Sequence, residues 1–424
     1  MEIKASKGLR GEITVAPDKS ISHRAAMMGS ISKGTTVIHN FLMGDDCLST
    51  ISCFRKMGVP IEIKGSSVTV AGGGLHGLKA PRELLYTGNS GTTTRLLCGL
   101  LAPQRFSATL DGDASIRKRP MNRVIDPLRE MGAKIIAAEN SFAPITIEGA
   151  ALKGIRYEMP VASAQLKSAL ILAGLYADGE TVIIEPKPSR NHTELMINGF
   201  GGNVSVQDRT ITVSPAEELY GHDVTVPGDI SSAAFFMVAA LIVPNSEIVI
   251  RNVGLNGTRT GIIDVLKDMG ASIEIETSGE GIEPAGDVTV RHSGLHGTEI
   301  GGALIPRLID ELPVIAVAAA FAEGRTVIKD AEELKVKESN RIAAMETELK
   351  KAGVDAKATE DGLIIEGGNP VRGGSFDTYD DHRVAMAMSV LALAAEGASR
   401  IENHQCISIS YPDFFETLKK INAG

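Results

Sequence analysis

The chain has 424 residues, 43% hydrophobic and 22% charged, with 43 lysines and arginines against 52 aspartates and glutamates for a formal charge of −9. That length exceeds one ordinary core and predicts two domains of about 200 residues each. The negative balance, the lack of tryptophan and a 4% aromatic content argue against a nucleic-acid surface, which needs a basic face and stacking platforms, but leave open a small anionic ligand that responds to local charge.

The opening "MEIKASKG" has no apolar signal core, and the longest apolar runs, such as residues 233–243, fall short of the roughly 20 residues a spanning helix needs. Cys47, Cys53, Cys98 and Cys406 form no C-x-x-C pair and sit near no histidine cluster, which suits isolated thiols in a reducing compartment. A cytoplasmic protein without a membrane segment is the expectation.

In chain order, "EITV" (12–15) reads as a short alternating strand, and "PDKSISHR" (17–24) as the polar start of a helix running into "AAMMGS". Lys19 and His23, like Ser20 and Arg24, stand four apart and share a helical face. An ammonium, a guanidinium fork and a hydroxyl beside unpaired helix-start N–H groups suit a phosphate or carboxylate; a capped surface helix accounts for the octapeptide equally well. "CFRKMGVPIEI" then ends an amphipathic segment at Gly58 and turns into an alternating strand. In "GNSGTTTR" (88–95), Gly88 and Gly91 admit a tight turn with no Cβ in the way, and Asn89, Thr92 and Arg95 supply donors. The P-loop Lys-Ser/Thr spacing is missing, so a nucleoside triphosphate is not indicated.

"SIRKRPM" (115–121) gathers Arg117, Lys118 and Arg119, with Pro120 biasing Arg119 toward an extended backbone; such triplets are commonly solvated. "PLREMGAKIIA" repeats the helix–glycine–strand pattern at Gly132. "SAQLKSA" (163–169) opens a third small-residue helix with Ser163, Gln165 and Lys167, and "MINGFGGNVSV" is a weaker copy of the glycine pattern at Gly202. After "VPGD" (226–229) the order recurs: "DISSAAF", "VLKDMGASIEI" at Gly270, "LIDELPVIAV", "ELKKAGVDAKA" at Gly353, and "DHRVAMA". Carboxylates now join the cations. Asp310 and Glu311 precede an apolar helix, "KVKESNR" (335–341) holds Lys337, Glu338 and Arg341, and "YDDHRVAM" (379–386) sets His382 and Arg383 at the last helix start. This set offers anion clamps with acid–base groups whose pKa values neighbours shift; helix capping and surface ion pairing are the plain alternatives.

The glycines lie 68 to 83 residues apart, and polar helix starts near 18, 89, 162, 229, 310 and 381 recur in step. Six units of helix, strand, loop, helix, strand, strand follow, divided three and three near 226–229, and too long for the common solenoid repeats. Each glycine fits the C′ position after a second helix, where a left-handed residue is needed. Equivalent helix starts then lie at equivalent ends, and their partial positive charges make an anion-attracting face even on an acidic chain.

Taken in order, "PDKSISHR", "GNSGTTTR", "RKRPM", "SAQLKSA", "SRNHTE", "IDELP", "KVKESNR" and "DDHRVAM" resemble the 5-enolpyruvylshikimate-3-phosphate synthases, a family of enolpyruvyl transferases, over essentially the whole chain. The resemblance implies an α/β (α+β) fold of two pseudo-threefold domains, each of three βαβαββ repeats in an inverse α/β barrel. Residues 1–14 plus 228–424 would form one domain and residues 15–227 an inserted one, closing on substrate about hinges near 14–16 and 226–229. The implied reaction moves the enolpyruvyl group of phosphoenolpyruvate to the 5-hydroxyl of shikimate 3-phosphate, through a tetrahedral intermediate, and releases phosphate. No metal, organic cofactor, nucleic acid or membrane is implied, and a monomer is expected.

Carried over by motif, Lys19 touches both substrates. Ser20, Arg24, Ser163, Ala164, Gln165, Arg190, Asp310 and Lys337 complete the shikimate 3-phosphate set, and Asn89, Gly91, Gln165, Arg119, Arg341 and Arg383 line the phosphoenolpyruvate pocket. Asp310 holds the attacking hydroxyl as its base, and Glu338 protonates the methylene carbon with Lys19 or Lys337 assisting. Ala164 in place of a second serine, Leu97 in place of a proline, Ile409 where a lysine is expected, and Thr93 with Thr94 in the glycine loop resemble the second, bacterial-type class. Gly91 keeps room for glyphosate beside altered neighbours. A UDP-N-acetylglucosamine enolpyruvyl transferase would carry a Lys-Asn pair at the first helix and commonly a loop cysteine, whereas this chain has Lys19-Ser20 and no cysteine in "DASIRKRPM". The acidic charge counts against an RNA 3′-phosphate cyclase, and the carboxylates Asp310 and Glu338 against a non-catalytic anion binder.

Overall fold

Six helices begin at the polar turns read from the sequence: Lys19–Ile31, Gly91–Leu101, Ala164–Gly174, Ile230–Ile242, Leu312–Phe321 and His382–Ala394. They belong to a computed structural model that describes residues 1–139, 141–278 and 281–422. Five have Asp or Ser at the N-cap, and each of those side chains accepts a first-turn N–H: Asp18 from Ile21 at 2.8 Å, Ser90 from Thr93 at 3.1 Å, Ser163 from Leu166 at 3.4 Å, and Asp229 and Asp381 from Ser231 and Arg383 at 2.9 Å. The cap satisfies one of the donors a helix start leaves over. Glu311 stands at the sixth N-cap and makes no such bond, so capping does not explain the Asp310–Glu311 pair.

Beyond their caps these helices have no wet face. Every residue of Ile230–Ile242 is buried, as is all of Leu312–Phe321 except its last residue. A helix apolar all round must be surrounded, and sheets and outer helices do this in a recurring unit. Each of the first five inner helices runs into a strand, then an outer helix, then an antiparallel hairpin. In the first unit these are Lys33–His39, Asp45–Lys56, and Ile61–Lys64 with Ser67–Gly73. The hairpin's second strand pairs antiparallel with the strand after the inner helix, and a short edge strand adds in parallel on its other side. Val224 opposite Ile38, Leu85 opposite Leu110, Ile300 opposite Ile328 and Phe376 opposite Ile401 are four such parallel pairings.

The chain divides into two units. Pro17–Val226 with Gly281–Glu283 form one, and Met1–Ala16, Pro227–Glu280 and Pro284–Gly424 the other. Glu283 joins the first through a buried contact of its Oε1 with His192 Nδ1 at 2.8 Å. Each unit contains three of the inner helices, packed on one another. Strands distant in sequence complete sheets within each unit: Val224–Thr225 closes the first sheet of the inserted unit, while Arg10–Thr14 lies parallel to Glu247–Gly254 in the split unit.

Gly58, Gly132, Gly270 and Gly353 take the left-handed conformation, with φ from +84° to +103°. The third repeat differs by one residue. The helix His192–Gly199 ends with Phe200 at its C-cap, so the left-handed position falls on Gly201 (φ +89°) and not on Gly202. The sixth repeat differs more. After Ala398–Ile401 no hairpin follows, and Glu2–Lys4 from the chain start takes the antiparallel place instead. The sequence here has no glycine-to-strand switch; Phe414 packs against Phe235, Phe236 and Tyr411 and seats a final helix, Phe414–Ile421. Among the described residues no helix is long and apolar enough to cross a membrane.

Candidate active site

In the inserted unit, side chains tie the first turns of all three inner helices together. Lys19 Nζ lies 3.2 Å from Asp46 Oδ2, on the adjoining outer helix, with both side chains partly exposed. One helical turn on, Arg24 is buried, and its guanidinium donates to the Thr193 hydroxyl (2.7 Å), the Ser20 carbonyl (2.9 Å) and the Ser168 hydroxyl (2.9 Å). Burial pulls its pKa down to about 10, and Arg190 is near enough to add to that effect. Every one of these acceptors is neutral, so the positive charge of Arg24 has no carboxylate bonded to it.

His23 is not the surface donor that its spacing with Lys19 suggested. It is fully buried, and burial holds its pKa at about 3, so the ring is neutral. Its Nδ1 is 2.7 Å from Thr50 Oγ1, Thr50 is 2.7 Å from Thr93 Oγ1, and Thr93 donates to Ser90 Oγ at 2.7 Å. With Thr93's proton given to Ser90, Thr50 donates to Thr93 and accepts from His23 Nδ1–H. This chain fixes the first inner helix to the glycine loop of the second.

In that loop the Asn89 Oδ1 accepts from Arg119 Nη2 at 3.1 Å, and Arg119 also reaches the Ser115 hydroxyl at 3.2 Å. A Cβ on Gly91 would sit 2.8 Å from Arg95 Nη1 and 3.4 Å from Arg119 Nη1, so the missing side chain lets two guanidinium groups approach the helix start. Gln165 joins this cluster to the third helix, accepting from Arg95 Nη1 at 2.7 Å and donating to Thr92 Oγ1 at 3.1 Å. Ser163 caps that helix and Ala164 is its first residue. Lys167, counted with these donors on sequence, is instead almost fully buried and salt-bridged to Glu185 (3.0 Å) and Glu194 (2.7 Å). Arg117 turns away to Asp111.

The split unit uses carboxylates at equivalent places. Arg341, the first residue of the helix Arg341–Lys351, has a side chain only 1% exposed and is not part of a surface ion pair. Its Nε donates to Asp381 Oδ2 at 2.8 Å, its Nη2 to Glu338 at 2.7 Å and to Asp381 Oδ1 at 3.2 Å, and its Nη1 to Asp310 at 3.4 Å. Lys337 Nζ stands 3.6 Å from the same Asp310 oxygen. Burial pushes the Asp381 carboxyl up, but the charge and hydrogen bonds of Arg341 outweigh it and hold Asp381 below the usual carboxylate range. Arg383 is the second residue of the capped helix, 7% exposed, and its side chain has no hydrogen-bond or ion-pair partner among the described residues. A second arginine, Arg259, lies 3.4 Å from Asp229 and 3.6 Å from Glu311, and Ser231 donates to Glu311.

The structure therefore gathers Lys19, Ser20, Arg24, Asn89, Gly91, Arg119, Ser163, Ala164, Gln165 and Arg190 around the helix starts of one unit, and Asp310, Lys337, Glu338, Arg341 and Arg383 around those of the other. Sequence reading missed Asp46, the partner of Lys19, and Asp381, the main partner of Arg341. Both carried a signal, as acids at helix starts, but capping and dipole effects explain such acids without any further role. Thr50 gave none, while Thr193 and Ser168 sit inside "SRNHTE" and "SAQLKSA" without being singled out there.

The sequence profile of the family described as EPSP synthase (3-phosphoshikimate 1-carboxyvinyltransferase) matches residues 3–418. The chain is 58% identical over 419 residues to the 3-phosphoshikimate 1-carboxyvinyltransferase of Thermoanaerobacter sp. (strain X514), covering 98% of this chain and 99% of that one. It is 56% identical to that of Geobacillus kaustophilus, with 97% and 98% covered. Among solved structures, an EPSP synthase from Acinetobacter baumannii superposes with a TM-score of 0.91 at 45% identity, covering 99% of this chain and 97% of the other. The enolpyruvyl transferase NikO from Streptomyces tendae shares the fold at a TM-score of 0.82 and 18% identity, with 100% and 97% covered. By sequence and by fold, the chain belongs to the EPSP synthase (3-phosphoshikimate 1-carboxyvinyltransferase) family.

Proposed function

We infer that the chain catalyses its family's reaction, moving the enolpyruvyl group of phosphoenolpyruvate to the 5-hydroxyl of shikimate 3-phosphate with release of phosphate. The observation that carries the chemistry is the grouping on Arg341: one buried guanidinium holds Asp310 and Glu338, two carboxylates that remain partly exposed, at 3.4 and 2.7 Å. A purely structural ion-pair cluster would bury them, whereas acid–base groups must reach substrate.

In our proposal Asp310 takes the proton of the 5-hydroxyl as its oxygen bonds to C2 of phosphoenolpyruvate, and Glu338 delivers a proton to C3, assisted by Lys19 or Lys337. In the second stage the Glu338 carboxylate takes a proton back from C3, the bond from C2 to the phosphate oxygen breaks, and the enol ether forms while the proton held by Asp310 leaves with the inorganic phosphate. Negative charge gathers on oxygen and positive charge on C2, and preorganised cations stabilise the first and carboxylates the second without reorganising. Arg119, Arg341, Arg383, Asn89, Gly91 and Gln165 take phosphoenolpyruvate; the unpartnered guanidinium of Arg383 supports this, because a buried cation without a carboxylate calls for an anion. Ser20, Arg24, Ser163, Ala164, Gln165 and Arg190, with Asp310 and Lys337, take shikimate 3-phosphate, and Lys19 meets both substrates. We also propose a cytoplasmic monomer: the four cysteines are free thiols, which suits a reducing compartment, and one chain carries both residue sets.

Mixing the protein with phosphoenolpyruvate and shikimate 3-phosphate and measuring inorganic phosphate tests the assignment. Release that requires both substrates is expected. Silence with this pair but turnover with UDP-N-acetylglucosamine would move the activity to the related transferase.

A further inference from the structure

Two adjacent residues just before Arg383, Tyr379 and Asp380, both lie in the left-handed region at φ +54°. One non-glycine residue there is uncommon, and two in succession hold a conformation that persists only when surrounding contacts enforce it. One helix holds the segment on both sides of the pair, beside a Thr378 hydroxyl that donates to Asn403 O at 3.4 Å and a Ser339 hydroxyl that donates to Asp381 at 3.0 Å. At the far end of Arg341–Lys351, the fully buried Glu348 accepts from the Tyr379 hydroxyl at 2.8 Å and from the Asp377 N–H at 3.0 Å, and Lys351 braces both of its oxygens at 2.9 and 3.0 Å. At the near end Arg341 grips Asp381. Arg341 and Glu348 are seven residues apart, two turns on the same face and about 10 Å along the axis. The segment 377–381 is thus held at both ends by one rigid rod, with the left-handed pair between the grips. Asp377 Oδ1 accepting from Tyr379 N–H at 3.0 Å and Thr378 O accepting from Asp381 N–H at 2.8 Å close the turn.

We propose that Glu348 and Tyr379 are positioning residues for the phosphoenolpyruvate end of the site, their hydrogen bond holding the left-handed turn that aims Asp381, and through it Arg341 and Arg383. The inference rests on the reading that Arg341 and Arg383 take phosphoenolpyruvate. Neither Glu348 nor Tyr379 touches substrate in this account. The bond acts by forcing a backbone path that the residues would otherwise abandon.

The test uses full-length Tyr379→Phe and Glu348→Gln proteins in steady-state turnover, with melting temperature and shikimate 3-phosphate binding in the absence of phosphoenolpyruvate as parallel readouts. Tyr379→Phe removes one oxygen and leaves Asp377 and Lys351 to satisfy Glu348. It should raise KM for phosphoenolpyruvate on the order of tenfold and lower kcat, with shikimate 3-phosphate binding within about twofold of the parent. The double variant should be no worse than the more severe single one. Unchanged KM and kcat in Tyr379→Phe, or a fall in melting temperature with an unchanged KM for phosphoenolpyruvate, overturns the inference. Arg383→Lys separates it from the reading beneath it: a normal KM for phosphoenolpyruvate in that variant overturns the assignment of Arg383, while a raised KM there with a normal one in Tyr379→Phe overturns the positioning role alone.

Discussion

The helix starts of the two units are built to one plan and carry opposite chemistry. In the inserted unit Arg24 and Arg119 are bonded to hydroxyls, an amide oxygen and a backbone carbonyl, so no carboxylate is bonded to either, although Glu194, Asp18 and Glu283 act on Arg24 from further off. In the split unit Arg341 is bonded to three carboxylates and Arg259 lies within 3.6 Å of two more. Neutral acceptors fix an arginine while preserving its pull on a ligand anion; carboxylate acceptors cancel that pull but bring acid–base groups together in a defined geometry. The repeat supplies the place, and the partner of each guanidinium decides what the place can do.

That contrast breaks most visibly at Arg341. Arg341→Met leaves Asp381 buried without its counter-charge, and the cost should be ~3–5 kcal/mol of stability together with loss of turnover, read by chemical denaturation and phosphate release. An unchanged denaturation midpoint would mean the cluster is not the anchor it resembles. Lys19→Met separates chemistry from stability. Its pair with Asp46 is partly exposed, so stability should change by less than ~1 kcal/mol, while turnover falls by about 10²–10⁴; near-normal rates would remove Lys19 from the mechanism.

Arg119→Lys sharpens the neutral side of the comparison. It keeps the charge but loses the fork that reaches Asn89 and Ser115, and KM for phosphoenolpyruvate should rise on the order of tenfold. The last effect is absent at neutral pH and appears on acidification. His23 has a folded pKa of about 3, below its ordinary 6.5, so between these values the unfolded chain binds more protons than the native one. The stability contributed by the neutral ring is complete above about 6.5 and is lost as pH falls toward 3, at up to ~1.4 kcal/mol per pH unit. His23→Asn should flatten that slope in pH-dependent unfolding, and an unaltered slope would assign the acid sensitivity elsewhere.

Local signals made the helix starts legible: the polar turns near 18, 89, 162, 229 and 381 hold Asp18, Ser90, Ser163, Asp229 and Asp381, whose side chains act on N–H groups two or three residues away. The glycines after the outer helices were legible for the same reason. Burial was not. Arg24, Lys167 and Arg341 look like surface donors in sequence, and each is fixed by a partner that only tertiary packing delivers: Thr193 for Arg24, Glu194 for Lys167, Asp381 for Arg341. The sixth repeat escaped the pattern because its third strand is encoded at the opposite end of the chain. The left-handed turn at Tyr379 escaped because tyrosine gives no sign of that conformation and aspartate, though it tolerates it, is common in ordinary turns.

The pairing of Glu2–Lys4 with Ala398–Ile401 also sets an order of assembly on the ribosome. The inserted unit is encoded almost wholly by the uninterrupted stretch Pro17–Val226 and can collapse while the rest is still being synthesised. In the split unit Arg10–Thr14 waits for Glu247–Gly254 and Glu2–Lys4 waits for Ala398–Ile401, the second a closure that spans nearly the entire polypeptide and carries the larger loop-closure cost.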